Sequence, residues 1–183
     1  MTQEARLEDV GSGLAPVTPG WFVVNARDAA WLNNDLFGGV CIFESDHVVL
    51  RQRPDLEEVT HDAGFTLRVM QPGQPSATYH AESEQQEDFL VIAGECILLI
   101  DGEERQLRTW DVVRIPPDVP HTFVGAGDKP SVILGSGNRT EGSVIARPRD
   151  EVARRYGAED EEGMNYGPWK HEPPERWEEL PWS

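Results

Sequence analysis

The chain has few cysteines, few basic residues and no long apolar run, and each shortage excludes a class of protein. Cys41 and Cys96 are too few for a disulfide framework, and both lie in apolar segments where cysteine usually packs as a small hydrophobic residue. We therefore expect neither to act as a nucleophile. No segment approaches the roughly 20 apolar residues that cross a bilayer, and the polar, acidic N-terminus lacks the apolar region of a signal peptide. These features predict a soluble, cytoplasmic protein.

The shortage of basic residues limits the choice of partner. The 183 residues include 33 acidic against 16 basic side chains, for a net charge of −17. A surface this negative repels phosphate backbones and anionic lipids, so we expect no nucleic acid and no membrane as partner. A small-molecule ligand or another protein is expected instead. The length suits one domain of ordinary size with extensions.

Composition divides the chain into four segments. The first is a flexible N-terminal arm, and the second combines short strands at 21–25 and 38–43, a helical turn between them, and an acidic surface excursion from residue 44. The third contains the regular strand signals of a barrel, and the fourth has one short helix at 150–157 followed by an acidic tail. The segments are 1–20, 21–64, 65–137 and 138–183.

Strand signals in the third segment begin at Phe65, where apolar and polar residues alternate up to residue 71. Further short strands follow at a spacing typical of an all-β sandwich or barrel. Asp101-Gly102 is a strong hairpin signal because both central residues of such a turn prefer positive φ. The predicted strands lie at 65–71, 77–81, 88–92, 96–100, 105–108, 112–115, 122–124 and 131–134.

Two of these strands, at 89–92 and 96–100, are apolar at successive positions. A lone small barrel has water on its outer side, so this pattern predicts that both faces of these strands are buried. The cover on the outer side is either the N-terminal strands or a second copy of the chain.

Three tryptophans punctuate the acidic tail at Trp169, Trp177 and Trp182. Disordered tails are usually poor in aromatic residues, so we predict that part of the tail lies on the barrel with these side chains as anchors. An ordinary flexible terminus is the alternative.

The candidate chemistry lies in four side chains: His80, Glu82, Glu87 and His121. Residues two apart on a strand share a face, so His80 and Glu82 can converge on one point inside a barrel. Glu87 and His121 each begin a further strand and can reach the same centre. Two imidazoles and two carboxylates suit a divalent transition metal, namely Fe, Mn, Ni, Co or Zn. If one carboxylate stays unbound, the remaining two-His, one-carboxylate set leaves positions open for a substrate.

Other polar residues are assigned by their surroundings. The remaining histidines lie in polar segments outside this pattern, and we predict that they are bystanders: His47, His61 and His171. Tyr79, Gln86 and Trp110 flank the four candidates and are possible pocket residues, although packing explains Trp110 equally well.

At these positions the sequence resembles the cupin superfamily, whose first motif is Gly, His-x-His, Glu, Gly and whose second is Gly, Pro, Gly, His. The first motif is present as Gly73, His80-Ala81-Glu82, Glu87 and Gly94, and the second ends in Pro116 to Pro120 followed by His121. The resemblance covers roughly residues 65–135. It implies an all-β, double-stranded β-helix barrel of the jelly-roll type, to which the chain adds a short C-terminal helix and tail.

The sequence departs from the family's pattern at several positions. Glu82 replaces the second histidine, Trp110 and Asp118 stand where glycine is usual, and Gly125 replaces a terminal asparagine. The order of hairpins and candidate ligands survives these changes. The role of Glu82 stays open among metal ligand, general base and solvated side chain.

The resemblance implies a broad range of functions, because cupins include dioxygenases, isomerases, decarboxylases, lyases, and binding and storage proteins. We predict a metal-binding cupin, a small metalloenzyme of dioxygenase, isomerase or lyase type that acts on a small organic metabolite in the barrel. A non-catalytic sensor or carrier of a small ligand is the alternative. Cupins commonly pair through their sheets, so we also predict a homodimer with an apolar sheet interface.

Overall fold

The computed structural model describes residues 3–41, 43, 63–138, 140, 142–161 and 166–181. Within these residues the regular structure is β-strand apart from a short α-helix and one 3-10 turn, so the predicted all-β class is confirmed. The strands are β1 (Leu7–Asp9), β2 (Leu14–Pro16), β3 (Trp31–Asn34), β4 (Gly38–Cys41), β5 (Ala63–Met70), β6 (Ala81–Glu82), β7 (Glu87–Ala93), β8 (Glu95–Ile100), β9 (Glu103–Arg108), β10 (Val112–Ile115), β11 (His121–Ala126), β12 (Ser131–Asn138) and β13 (Ile145–Ala146), and the helix is α1 (Glu151–Arg155).

Two antiparallel sheets enclose the main core. One has six strands in the order β10-β7-β12-β5-β4-β3, and the other has three in the order β11-β8-β9. Apolar side chains from both sheets form one cluster between them, which includes Met70, Phe89, Leu98, Phe123 and Ile133. The barrel therefore has a packed apolar end, and the residues that alternate with these side chains point outward.

The turn between β8 and β9 has the predicted form. Asp101 and Gly102 have φ of 48° and 75°, and both values are positive, as this two-residue hairpin requires. Strands β8 and β9 pair along their whole length, from Ile100 opposite Glu103 to Glu95 opposite Arg108.

Both apolar strands are covered on their outer sides by other parts of the same chain. Ile92 of β7 packs in a cluster with Ala29 from the N-terminal segment and Leu180 from the tail. Leu99 of β8 packs in another cluster with Ala153 of α1. The prediction that both faces of these strands are buried is thus confirmed. The residues that cover the outer faces belong to the same chain. The homodimer stays a prediction that light scattering can test.

Of two predictions for the N-terminal segments, the strand at 21–25 is wrong and the helical turn capped by Asn25 is present in shortened form. Residues 21–25 form no strand, because only Trp21 makes an isolated bridge, to Glu4, and Val23 is 81% exposed. The helical turn is limited to residues 26–28, where Asn25 Oδ1 accepts a hydrogen bond from Arg27 N at 2.9 Å. The first strand of the barrel sheet in this region is instead β3, which begins at Trp31, where pairing with Cys41 of β4 starts. Apolar residues form a strand only where a partner strand completes their hydrogen bonds.

The remaining segment predictions have mixed outcomes. Residues 1–20, expected to be a loose arm, contain the paired strands β1 and β2, and Ala15 and Val17 are buried. The strand predicted at 77–81 is reduced to isolated bridges and the two residues of β6. The acidic excursion at 44–64 lies outside the described residues as far as residue 62.

The C-terminal part packs on the barrel. Asp150 Oδ1 caps α1 by accepting from Ala153 N at 2.9 Å, and Gly157 ends this turn with φ of 67°. In the tail, Trp177 lies edge-on to the buried Trp31, with ring centroids 5.7 Å apart. Trp169 packs against another buried cluster. These contacts agree with the predicted anchoring, and Trp182 lies outside the described residues. No helix in the described part of the chain is long and apolar enough to cross a membrane.

Candidate metal centre

A pair of backbone hydrogen bonds brings the two motif histidines together. His121 is the first residue of β11, and His80 directly precedes β6. His80 N donates to His121 O at 3.2 Å, and His121 N donates to His80 O at 2.8 Å. This antiparallel bridge places both side chains on one side, with ring centroids 5.2 Å apart.

Glu87 completes a cluster with the two histidines. It is the first residue of β7, and its Oε2 lies 3.0 Å from Nε2 of His121. One ligand atom from each of His80, Glu87 and His121 can be chosen so that all lie within 4.8 Å of one another. Donor atoms at such separations can share one metal ion, since metal–ligand bonds to nitrogen and oxygen are about 2.0–2.2 Å long.

Backbone carbonyls orient both imidazole rings. Nδ1 of His80 lies 2.7 Å from Thr78 O, and Nδ1 of His121 lies 3.0 Å from Val119 O. A carbonyl only accepts, so these contacts assign the proton of each neutral ring to Nδ1 and leave the lone pair on Nε2. This backbone support is the kind that orients histidine ligands in metalloproteins.

The tautomer assignment provides a test of whether a cation fits. With its proton on Nδ1, neutral His121 presents a bare Nε2 to Glu87 Oε2, which is buried and has no other hydrogen-bond partner among the described residues. Two acceptors 3.0 Å apart require a proton or a positive ion between them. The three side chains therefore fit a divalent transition metal, as nitrogen and oxygen donors of the two-His, one-carboxylate type do.

Burial and neighbouring charges set the electrostatics of the cluster. Burial lowers the pKa of His80 to about 4, and the neighbouring His121 acts in the same direction. Burial raises the pKa of Glu87, but the hydrogen-bonding contact with His121, together with smaller contributions from His80 and Arg68, outweighs this effect and the net pKa is lowered. At neutral pH, His80 is thus a neutral imidazole and Glu87 a carboxylate, which are the forms that bind metal.

The cluster lies in the wall of a cavity of about 150 Å³ between the sheets. Glu82 also lines this cavity, but it is not one of the three residues whose ligand atoms cluster. Arg68 and Thr66 of β5 line the same cavity, and sequence reasoning missed both. The alternation at 65–71 placed both residues on the polar face of a strand, but the sequence did not show which face of that strand turns inward.

The residues expected to flank the site lie elsewhere. Tyr79 is buried in an outer cluster and accepts from Gly102 N, Gln86 donates to Asp88, and Trp110 is 73% exposed. None of the three lines the cavity. His171 lies in the tail beside Gly11, whereas His47 and His61 lie outside the described residues.

The cysteines are buried and unpaired, as expected. Burial raises the pKa of both thiols, that of Cys96 to about 12, with a smaller contribution from Asp111. Neither is a thiolate near neutral pH, which agrees with the prediction that neither is a nucleophile.

Comparison with known proteins finds a family match within the barrel. The family described as "Cupin domain" matches residues 66–135, a range that contains the three clustered residues. No curated protein matches the chain.

Several solved structures are similar to the chain. A sugar phosphate isomerase of the cupin superfamily from Silicibacter pomeroyi has 25% identity and a TM-score of 0.47, over 60% of this chain and 64% of that one. An uncharacterised Klebsiella pneumoniae protein with a double-stranded β-helix domain has 22% identity and a TM-score of 0.44, over 49% and 78%. A DMSP lyase from Ruegeria pomeroyi has 22% identity and a TM-score of 0.40, over 48% and 43%. The chain thus covers less than two thirds of the isomerase and of the lyase.

Proposed function

We propose, on the premise that residues 66–135 are a cupin domain, that the protein is a metalloenzyme whose His80, Glu87 and His121 hold a divalent transition metal. Its substrate is a small organic metabolite bound in the cavity beside the metal. The reaction is of the dioxygenase, isomerase or lyase type.

One observation carries this proposal. Nε2 of His121 and Oε2 of Glu87 face each other at 3.0 Å, while a backbone carbonyl takes the Nδ1 proton of each histidine. Without a metal, the same contact requires a second proton on His121, which would make it an ion pair with Glu87 in the cavity wall. A bound cation resolves the conflict with both imidazoles in their assigned tautomers.

The residues around the centre have distinct roles in this proposal. A bound metal supplies a Lewis acid that polarises an oxygen of the substrate. His80, His121 and Glu87 present two neutral donors and one negative charge, so a divalent ion keeps a net positive charge. Glu82 lines the same cavity, which supports a role in exchanging a proton with a bound substrate or in binding the metal as a fourth ligand.

Metal analysis of purified protein tests the proposal. Dialysis at neutral pH against Mn(II), Co(II), Fe(II), Ni(II) or Zn(II) should give about one ion per chain, and His80→Ala or His121→Ala should abolish it. Glu87→Gln should weaken binding strongly, because the amide removes the negative charge. His171→Ala, which changes a histidine outside the cavity, is the matched control and should keep full metal content. Wild-type protein that takes up no divalent metal would contradict the proposal and favour a metal-free sensor or carrier.

A second set of variants separates the roles of Glu82. If Glu82 is a base, Glu82→Gln keeps the metal and loses turnover. If it is a fourth ligand, Glu82→Gln lowers metal affinity, whereas Glu82→His retains it by supplying another nitrogen donor. Equilibrium dialysis of the two variants distinguishes these cases before any substrate is known.

A further inference from the structure

Arg68 brings a positive charge into the cavity that contains the candidate metal centre. Side chains alternate along β5, and Thr66, Arg68 and Met70 share the inner face, since Met70 belongs to the core between the sheets. The guanidinium Nη1 of Arg68 donates to Ser76 O at 2.9 Å, so the side chain crosses from β5 to the segment that leads to His80. Its positive charge contributes to the lowered pKa of both His80 and Glu87.

Glycine on the neighbouring strand forms another part of the cavity wall. Gly135 of β12 lies opposite Thr66 on one side and Phe89 on the other. A Cβ at Gly135 would lie 2.9 Å from the ring of Phe89 and 3.5 Å from Thr66 Oγ1, so no larger residue fits there without movement. The adjacent Ser136 lines the cavity and is exposed, which places the cavity at the protein surface.

We propose that this cavity binds a small organic carboxylate through Arg68, with an adjacent substrate oxygen directed to the metal centre and a short carbon chain against Phe89. The part of the proposal that concerns the metal rests on the proposed function above. The carboxylate contact rests on Arg68 and the cavity alone.

Charge and shape favour a carboxylate. A guanidinium is a planar fork whose parallel N–H groups match the two oxygens of a carboxylate, and such pairs are among the strongest hydrogen-bonded contacts in proteins. Arg68 and a divalent ion would both bring positive charge to the wall of this cavity. Such local positive charge attracts a small anion in a protein whose net charge of −17 otherwise repels anions.

Volume limits the size of the ligand. A cavity of about 150 Å³ holds a molecule of the size of benzene, or about six to ten non-hydrogen atoms. This range admits short oxo acids and hydroxy acids as ligands that fit wholly inside the cavity, whereas a nucleotide or a phosphorylated sugar would extend out of it. The ring of Phe89, 4.6 Å from that of Phe123 between centroids, provides an apolar surface for the end of the chain opposite the carboxylate.

Calorimetry with pyruvate as the probe tests the inference, with pyruvamide as an uncharged molecule of nearly the same shape. Metal-loaded wild-type protein should bind pyruvate about tenfold or more tightly than pyruvamide. Arg68→Met should remove this preference and keep metal content unchanged, whereas Arg68→Lys should retain part of it, because a single ammonium keeps the charge without the fork. Arg114→Met is the matched control: Arg114 pairs with Asp88 on the exposed edge strand and should leave binding unchanged.

Two results would overturn the inference. Equal affinity of wild-type protein for pyruvate and pyruvamide would do so without any variant, even if Arg68→Met does not fold. Tighter binding of inorganic phosphate than of pyruvate, lost in Arg68→Met, would show that the ligand is a phosphate and not a carboxylate. Repeating the titrations on metal-free protein separates the two proposals. A pyruvate preference that depends on Arg68 but needs no metal supports the anion contact, even where dialysis has failed to show a metal.

Discussion

The partly buried, neutral His80 should make the metal-free protein sensitive to mild acid. Its pKa is about 4 in the folded protein, against the ordinary value of 6.5 expected in the unfolded chain. Between these values the unfolded chain binds the proton more readily, so stability is fully present above about pH 6.5 and is lost as the pH falls toward 4. At about 1.4 kcal/mol per pH unit, the difference between these two pKa values corresponds to about 3 kcal/mol of unfolding free energy. This is a large part of the stability of a typical domain.

Urea unfolding of chelator-treated protein, followed by tryptophan fluorescence from about pH 7.5 to about pH 4.5, measures this loss. His80→Gln has no titrating ring, so its unfolding free energy should fall less steeply, by up to about 1.4 kcal/mol per pH unit. The lowered pKa of Glu87 adds a loss of the same sign, but only at lower pH, around and below its ordinary value of 4.5. Parallel profiles for wild type and His80→Gln would show that burial of His80 does not control acid stability.

Three further substitutions test the packing around the site by the same urea assay at neutral pH. Trp110→Gly should raise the unfolding free energy by about 0.5–1 kcal/mol. A φ of 76° strains a tryptophan, and the relief of this strain exceeds the cost of the greater chain entropy of glycine in the unfolded state. A lower urea midpoint would contradict this. Gly135→Ala should destabilise by about 1–3 kcal/mol through its clash with Phe89, and an unchanged midpoint would show that the cavity wall yields freely. Trp177→Ala should cost about 2 kcal/mol by removing the edge-on contact with Trp31, and no loss would show that the tail does not stabilise the barrel.

The candidate site was largely predictable because its residues depend on short-range geometry. His80 and Glu82 lie two residues apart, and both line the cavity. His121 follows a proline-rich turn and opens a strand, so its position depends on where that turn ends. The sequence did not show whether Glu82 joins the cluster of His80, Glu87 and His121, since an inward direction does not determine how far a carboxylate reaches.

Arg68 was not predictable from local pattern because alternation defines two faces without telling which is inner. In residues 65–71 the apolar face looks like the natural core face. Leu67 and Val69 instead pack outward, against a cluster formed with the N-terminal segment and the tail, and this leaves Arg68 inside. The covering residues are far away in sequence, so only the tertiary structure reverses the expected direction.

The two non-glycine residues at usual glycine positions show how tertiary contacts replace a local signal. Trp110 and Asp118 have φ of 76° and 65°, so the backbone keeps the left-handed conformation that the motif normally assigns to glycine. Aspartate tolerates this region, whereas tryptophan does so at a cost. Each is held by a backbone hydrogen bond, from Trp110 N to Val91 O at 2.8 Å and from Asp118 N to Glu82 O at 2.9 Å. The second bond ties the turn before His121 directly to β6. The left-handed turn at Asp118 therefore helps to fix the distance between the two sides of the candidate metal centre.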